Sequence, residues 1–242
     1  MLKVVTYNIH KGFSPFNRRV VLNELREQLR ALNPDIVFLQ EVQGEHVRHP
    51  VQHADYPAMP QYEFLADAFW AHHVYGMNAV YEAGHHGNAI LSRFPIVQSR
   101  NCDLSAHRFE QRGLLHGTID FHGQPVHCLC AHFGLFARGR RQQLRRLIEY
   151  VQRAVPAQDR LVIAGDFNDW RDQLSRDLAA ALQVREAHSA GCGRPARSFP
   201  AALPLLKLDR IYVRGFEVLH CQAQRQRRLS DHAPLYAQLR RQ

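Results

Sequence analysis

Twice along the chain, an apolar run of strand length is followed by an amphipathic helix and then by a second apolar run, and this repetition constrains the fold more than any other feature. In the first unit Leu2 to Ile9 and Asp35 to Gln40 are the strand candidates, and Val21, Leu25, Leu29 and Leu32 recur between them at helical spacing. Asn33-Pro34 closes that helix, because a residue before proline is driven out of the α region. In the second unit Pro125 to Phe133 and Arg160 to Ala164 flank a helical face of Leu144, Leu147, Ile148, Val151 and Val155, ended by Pro156. Each unit is a β-α-β crossover, which places the two strand ends on the same side of a sheet.

Polar residues finish these strands at matched places. The strands of the first unit run into Asn8 and Glu41, and those of the second into His132 and Asp166. Ligands of α/β folds bind beyond the carboxyl ends of the strands, so a shared site built from Asn, Glu, His and Asp side chains is expected. Further strands are expected at Asn88 to Ser92, Ile96 to Asp103, Leu114 to Phe121, Leu208 to Val213, Phe216 to Ala223 and Ala233 to Leu239, with an irregular stretch from Arg185 to Lys207. Many strands with few helices imply an α/β fold of four layers, two packed mixed sheets flanked by helices, as a single domain over residues 1–242.

Composition narrows the chemistry. Lys and Arg total 31 against 22 acidic residues, a formal net charge of +9, which favours polyanionic partners such as nucleic acid, anionic lipid or phosphorylated small molecules. Arginine dominates, in the runs Arg138-Gly139-Arg140-Arg141, Arg145-Arg146 and Arg225-Gln226-Arg227-Arg228, and its flat fork suits phosphate. Solvated helix faces account for any one such run equally well. No apolar stretch reaches the roughly 18 to 20 residues of a membrane span, and MLKVVTYNIHKG does not read as a leader, so a cytoplasmic monomer is expected. Five cysteines without zinc or redox spacing read as free thiols. Among 16 histidines, the pairs His72-His73 and His85-His86 lack the spacing of a zinc site. Neither a phosphate-binding P-loop nor a G-x-S-x-G elbow occurs, which argues against P-loop and α/β-hydrolase chemistry.

Three segments can carry catalysis. In Gly165-Asp166-Phe167-Asn168, an extended backbone would aim Asp166 and Asn168 at one point with Phe167 behind, a pair able to fix and deprotonate water. Ser230-Asp231-His232 sets a carboxylate beside an imidazole that can exchange protons near neutral pH. Glu41 at the mouth of a buried strand calls for a cation, and a hard divalent ion, Mg²⁺, fits so sparse a donor set.

These segments, with Thr6-Tyr7-Asn8-Ile9-His10, Leu39-Gln40-Glu41, Gly87-Asn88-Ala89-Ile90-Leu91-Ser92, Ala131-His132-Phe133 and Leu208-Asp209-Arg210-Ile211, stand in the order of the endonuclease/exonuclease/phosphatase superfamily, which the chain resembles over nearly its whole length. The resemblance implies a deoxyribonuclease-like sandwich and a Mg²⁺-dependent phosphodiester hydrolase, with Mn²⁺ as a substitute. In that pattern Glu41, Asn8 and Asp231 serve the metal, and Asp166 and Asn168 activate water. His232 is held by Asp209, His132 bonds a phosphate oxygen, and Asn88 contacts substrate. Either histidine can then protonate the leaving oxygen, with one metal or two. Deoxyribonuclease-like members brace the histidine corresponding to His132 with a mid-chain glutamate, for which Glu82 and Glu110 are candidates. A nuclease is the first reading, a phospholipid-headgroup or inositol-phosphate phosphoesterase the second, and a non-catalytic phosphate-binding module the third.

Overall fold

The computed structural model describes residues 1–107, 110–224 and 229–242, so the arginine run at 225–228 lies outside the described residues. The first sheet is built from β1 (Leu2–Asn8), β2 (Ile36–His46), β3 (His72–Tyr81), β4 (Gly84–Ser92), β11 (Phe216–Ala223) and β12 (Leu235–Arg241), in the order β11-β12-β1-β2-β4-β3. The second is built from β5 (Ile96–Asp103), β6 (Gly113–Asp120), β7 (Pro125–His132), β8 (Arg160–Asp166), β9 (Arg185–Glu186) and β10 (Asp209–Arg214), in the order β5-β6-β7-β8-β10-β9. Among the described residues only β1 with β2 and β7 with β8 pair in parallel, and each parallel pair sits at the middle of its sheet. The two β-α-β units are therefore the centres of the two sheets, as the repeated sequence pattern implies. Helix α1 (Leu22–Leu32) crosses over in the first unit and α4 (Ala137–Ala154) in the second.

Alternation along the strands sorts side chains into layers. Leu2, Val4, Ile36 and Phe38 pack against Cys128, Cys130, Val162, Ala164 and Ile211 of the opposite sheet. Val5, Tyr7, Val37 and Leu39 turn the other way, against α1 and α3 (Gln61–Ala66) with Trp70. Leu129, Leu161, Ile163 and Tyr212 do the same against α4 and α5 (Ser175–Leu182). Helix, sheet, sheet, helix is the result. Because central strands are buried on both faces they read as continuous apolar runs, which is why their period of two is hidden in the sequence. Phe38 is fully buried between the sheets, and Phe38→Ala is expected to cost about 3–5 kcal/mol of stability in urea unfolding. A loss under about 1 kcal/mol would contradict the inter-sheet core.

Several sequence expectations need amendment. The stretch from Arg185 to Lys207 is not irregular throughout: β9 opens it and α6 (Ala187–Cys192) follows, with α5 just before. Helix α5 lacks a strong start signal, but Leu174, Leu178 and Leu182, four residues apart, bury one side against the α4 layer. Strand β3 was not expected, and β2 continues six residues past Gln40; histidines and glycines at the β2–β4 edge mask the apolar period. The five cysteines are free, with the Cys192 and Cys221 sulfurs 2.6 Å apart where α6 meets β11.

Candidate active site

The inter-sheet layer turns polar at one rim. On β1 the residues facing the other sheet run Leu2, Val4, Thr6, Asn8; on β7, Cys128, Cys130, His132; on β8, Val162, Ala164, Asp166. Strand β10 runs antiparallel to β8 and begins with Asp209 opposite Asp166. Asn8, His132, Asp166 and Asp209 are thus the last members of four apolar rows, brought together where the layer opens. The pairing of Asn8 with Gln40 and of His132 with Asp166 fixes their level.

Glu41 reaches this rim by a different route. By strict alternation it would point away, since Phe38 and Gln40 already face the second sheet. The β2–β4 register shifts between Leu39 and Val42, and Glu41 takes φ 55°. This irregularity turns the carboxylate inward, where Asn8 Nδ2 donates to Glu41 Oε1 and to Asp166 Oδ2, both at 3.2 Å. His10, Lys11 and Asn168 also have positive φ. Such conformations are costly for residues other than glycine and gather where a site over-determines the backbone.

Asp166 is the hub. Its Oδ2 lies 3.7 Å from His132 Nε2 and 3.7 Å from His232 Nε2, and its Oδ1 accepts from the Asn168 amide at 2.9 Å. His232 Nδ1 meets Asp209 Oδ2 at 2.8 Å, so Asp209 orients that ring. The Ser230 hydroxyl donates to the Asn8 carbonyl at 2.7 Å and ties the loop carrying His232 to the end of β1. Asp231 stands at the edge, 3.5 Å from His10 Nδ1. The ring of Phe199 covers His232 with centroids 5.0 Å apart.

Three placements differ from the expected pattern. Strand β8 stops at Asp166 and Asn168 is left-handed, so the two side chains do not share an extended face. Asn168 Nδ2 instead donates to the Phe133 carbonyl, while Phe167 packs behind as expected. Asn88 donates to the carbonyls of Gly113 and Cys130, which joins the sheets and spends its amide hydrogens. Neither glutamate braces His132: Glu82 lies 94% exposed near Arg48, and Glu110 accepts from the Leu135 amide. The residues bordering His132 are instead His86, Arg112 and Asn78, of which the sequence analysis named only His86, in a pair without zinc spacing; Asn78 sits on the edge strand β3, His86 on β4 and Arg112 in a loop, with no motif to mark them.

Charge follows from these surroundings. Burial opposes the charge of Glu41, but the His132 ring, the Lys11 ammonium and the Asn8 amide pull its carboxyl down to about 2. Burial raises Asp166 to about 6 against the pull of His232. Burial also opposes a charge on His232, yet Asp209 and Asp166 raise it to about 10, while His132, buried with Arg112 nearby, falls well below the ordinary range. At neutral pH the site holds a cationic His232, a neutral His132, an ionised Glu41 and an Asp166 that is mostly ionised. Because His232 titrates higher folded than unfolded, its contribution to stability is full below about pH 6.5 and lost as pH rises through about 10. In EDTA the urea midpoint is expected to fall between pH 7 and pH 10, with a smaller fall in Asp209→Asn. A midpoint that stays level in the parent protein would refute the ion pair.

The donor set suits a hard divalent cation. Asp166 and Asp209 belong to a cluster whose polar atoms lie within 4.8 Å of one another, Glu41 adds a carboxylate, and buried Asp209 Oδ1 has no hydrogen-bond partner among the described residues. Carboxylates converging with two imidazoles at the rim of a two-sheet sandwich define a hydrolase of phosphoester bonds. The comparisons agree. Residues 5–232 match the Endonuclease/Exonuclease/phosphatase family, and the chain belongs to that family. The uncharacterized protein YbhP of Escherichia coli K12 is 46% identical over 242 residues, covering 98% of this chain and 95% of that protein. Among solved structures, mannosyl-6-phosphatase Bt3783 of Bacteroides thetaiotaomicron has a TM-score of 0.75 at 15% identity, over 99% of this chain and 100% of that one. TDP2 of D. rerio in complex with a single-strand DNA product has a TM-score of 0.74 at 20% identity, over 99% and 98%. Family members are generally dependent on divalent metals.

Proposed function

We propose that the chain is a Mg²⁺-dependent phosphodiester hydrolase acting on nucleic acid, with Mn²⁺ as a substitute metal. The observation that carries this reading is Asp166, ionised at neutral pH and held between two imidazoles, Asn8 and the Asn168 amide. Glu41, together with Asp231, would hold the metal, and Asn8 fixes the Glu41 and Asp166 carboxylates through its Nδ2 rather than offering the metal its oxygen, since its Oδ1 accepts from the His10 amide. Bound there, Mg²⁺ supplies Lewis-acid polarisation of a phosphate oxygen and offsets charge in the transition state. Asp166 accepts the proton of the attacking water, and Asn168 positions it. Cationic His232, oriented by Asp209, stabilises negative charge at phosphorus or at the leaving oxygen, and neutral His132 hydrogen-bonds a phosphate oxygen. Asn88, with its amide hydrogens already spent, supports the His132 side of the cleft and meets substrate only through its oxygen.

Nucleic acid is favoured by the rim beside these groups. Phe136 and Trp170 are exposed, Phe136 leads into α4 and Trp170 follows Asn168 by two residues, while the buried Arg140, which donates to the Leu135 carbonyl, backs the Trp170 ring at 4.8 Å. Exposed aromatic faces are the equipment of single-strand binding, in which bases stack. The net charge of +9 acts in the same direction. TDP2, of the same fold, holds a single-strand DNA product, whereas Bt3783 is a mannosyl-6-phosphatase, so the fold serves both kinds of ester. No helix among the described residues is long and apolar enough to cross a membrane. With this function goes a monomer of one domain working in the cytoplasm.

The test is hydrolysis, with Mg²⁺ or EDTA, of supercoiled and abasic DNA, RNA, cardiolipin, sphingomyelin, inositol phosphates and sugar phosphates. Cleavage of nucleic acid that needs Mg²⁺ and weakens steeply with salt is expected. Turnover confined to a lipid or small phosphoester would keep the chemistry and overturn the substrate.

A further inference from the structure

Beside the catalytic cluster, on its β2 edge, lies a second cavity of about 440 Å³, within the range of small-molecule sites. Lys11, Phe13, Gln43, His46, His49 and His86 line it. It adjoins the reaction centre through two residues. Gln43 follows Glu41 by two on β2 and pairs with His86 on β4, and His86 also borders the recess that contains His132 and Asn88. A group seated in the cavity would therefore be a neighbour of a phosphate seated at His132 and Glu41.

The lining specifies what that group is. The rings of His46 and His49 stack with centroids 3.4 Å apart and 19° between planes, and Phe13 meets His49 edge-on at 5.0 Å. The stack is fastened from outside the cavity: His46 Nδ1 accepts from the His49 amide at 3.0 Å, where α2 (His49–Gln52) begins. Burial holds both rings below the ordinary histidine range, so the walls are flat, neutral and aromatic at pH 7. Lys11 is the one ammonium or guanidinium in the lining among the described residues. Gln43 is fully buried, and its Nε2 donates one hydrogen to the Tyr81 hydroxyl at 2.6 Å, while its Oε1 has no donor among the described residues. His49 Nδ1 and His86 Nδ1 are likewise without partners.

These features separate the candidate ligands. A polyphosphorylated ring calls for several cations, and one lysine is too few. A quaternary ammonium headgroup seeks aromatic faces, but Lys11 opposes its charge. A planar heterocycle with N–H groups on its edge satisfies the stack, the orphan Gln43 oxygen and the free imidazole nitrogens, while Lys11 can meet the phosphate it carries. We propose that this cavity is a nucleobase subsite, taking the base of the nucleotide next to the scissile phosphodiester, with its face on the His46–His49 stack and its N–H edge on Gln43 Oε1. The assignment of the neighbouring phosphate rests on the function proposed above; the chemistry of the cavity does not.

Binding in EDTA, where no turnover occurs, separates the two. Titration calorimetry of the full chain with AMP, ribose 5-phosphate and phosphocholine is expected to show AMP binding at least about tenfold more tightly than ribose 5-phosphate, the difference expected of one stacked base. His49→Ala should bring that ratio to within about twofold, with His46→Ala as a second variant if the first fails to unfold cooperatively. Lys11→Met should weaken AMP and ribose 5-phosphate alike. Equal binding of the two sugar phosphates by the parent protein, tighter binding of phosphocholine, or a ratio unmoved in both histidine variants would each overturn the subsite. Base-selective binding by a protein that cleaves no nucleic acid would uphold the subsite and sink the nuclease reading. Nucleic-acid cleavage without base-selective binding would do the reverse.

Discussion

Asp166→Asn is expected to lower phosphodiester turnover about 10²–10⁴-fold while leaving a cooperatively folded protein, the loss being that of a positioned general base. An asparagine has the same shape and still accepts from the Asn168 amide, but it cannot take a proton from water. What it loses structurally is the ionic approach to His232, the approach to the neutral His132 ring and the Asn8 contact; what it gains is relief from burying a charge, the chief reason the Asp166 carboxyl is lifted to about 6. Those effects oppose one another, so stability in urea should move by no more than about 2 kcal/mol, the scale of one or two hydrogen bonds. Turnover at saturating Mg²⁺ and the unfolding curve are measured on the same preparation. A variant retaining a tenth of the parent rate removes Asp166 from the water-activating role, and one that does not fold makes the residue structural.

The second large effect concerns the metal. Glu41→Gln keeps an oxygen for the Asn8 amide but removes the charge that Lys11 and its neighbours hold in place, so the Mg²⁺ concentration for half-maximal activity should rise by about 10–100-fold or more. Direct Mn²⁺ titration should weaken in step, since the loss is one of binding. Saturating metal should then restore part of the rate, which it cannot do for Asp166→Asn. An unchanged metal requirement would show that Glu41 faces the cleft without holding the ion.

Much of this could be read along the chain, for an identifiable reason. The two crossovers rest on local periodicity, and the residues at their strand ends are neighbours in the sheet as soon as parallel pairing is granted; Asn8, His132 and Asp166 followed from that. The local segments Gly165-Asp166-Phe167-Asn168 and Ser230-Asp231-His232 supplied Asn168 and His232, and the family order of motifs added Asp209. Strand β3 and helices α5 and α6 escaped because their stabilising contacts are with other elements: histidine-rich β3 borrows its ladder from β4, and α5 its apolar partner from α4. Likewise Asn88 and Asn168 carry side-chain amides that suit a substrate, and only the fold shows that carbonyl groups of Cys130, Gly113 and Phe133 already engage them.

By itself, then, the sequence determined the two sheets, their parallel centres and the acid, amide and imidazole groups at one rim, because hydrophobic period and strand-end polarity are local properties. The tertiary structure alone decided that Glu41 turns inward through a register shift and a left-handed backbone, against the alternation its position implies. It alone set His86 and Arg112 beside His132, and Lys11 in one cavity with a stacked pair of histidines, whereas the contact of Asp209 with His232 is the one the family resemblance implied. Each of these depends on how far apart two segments distant in sequence come to rest, and that distance is fixed by packing between layers rather than by any pattern within one of them.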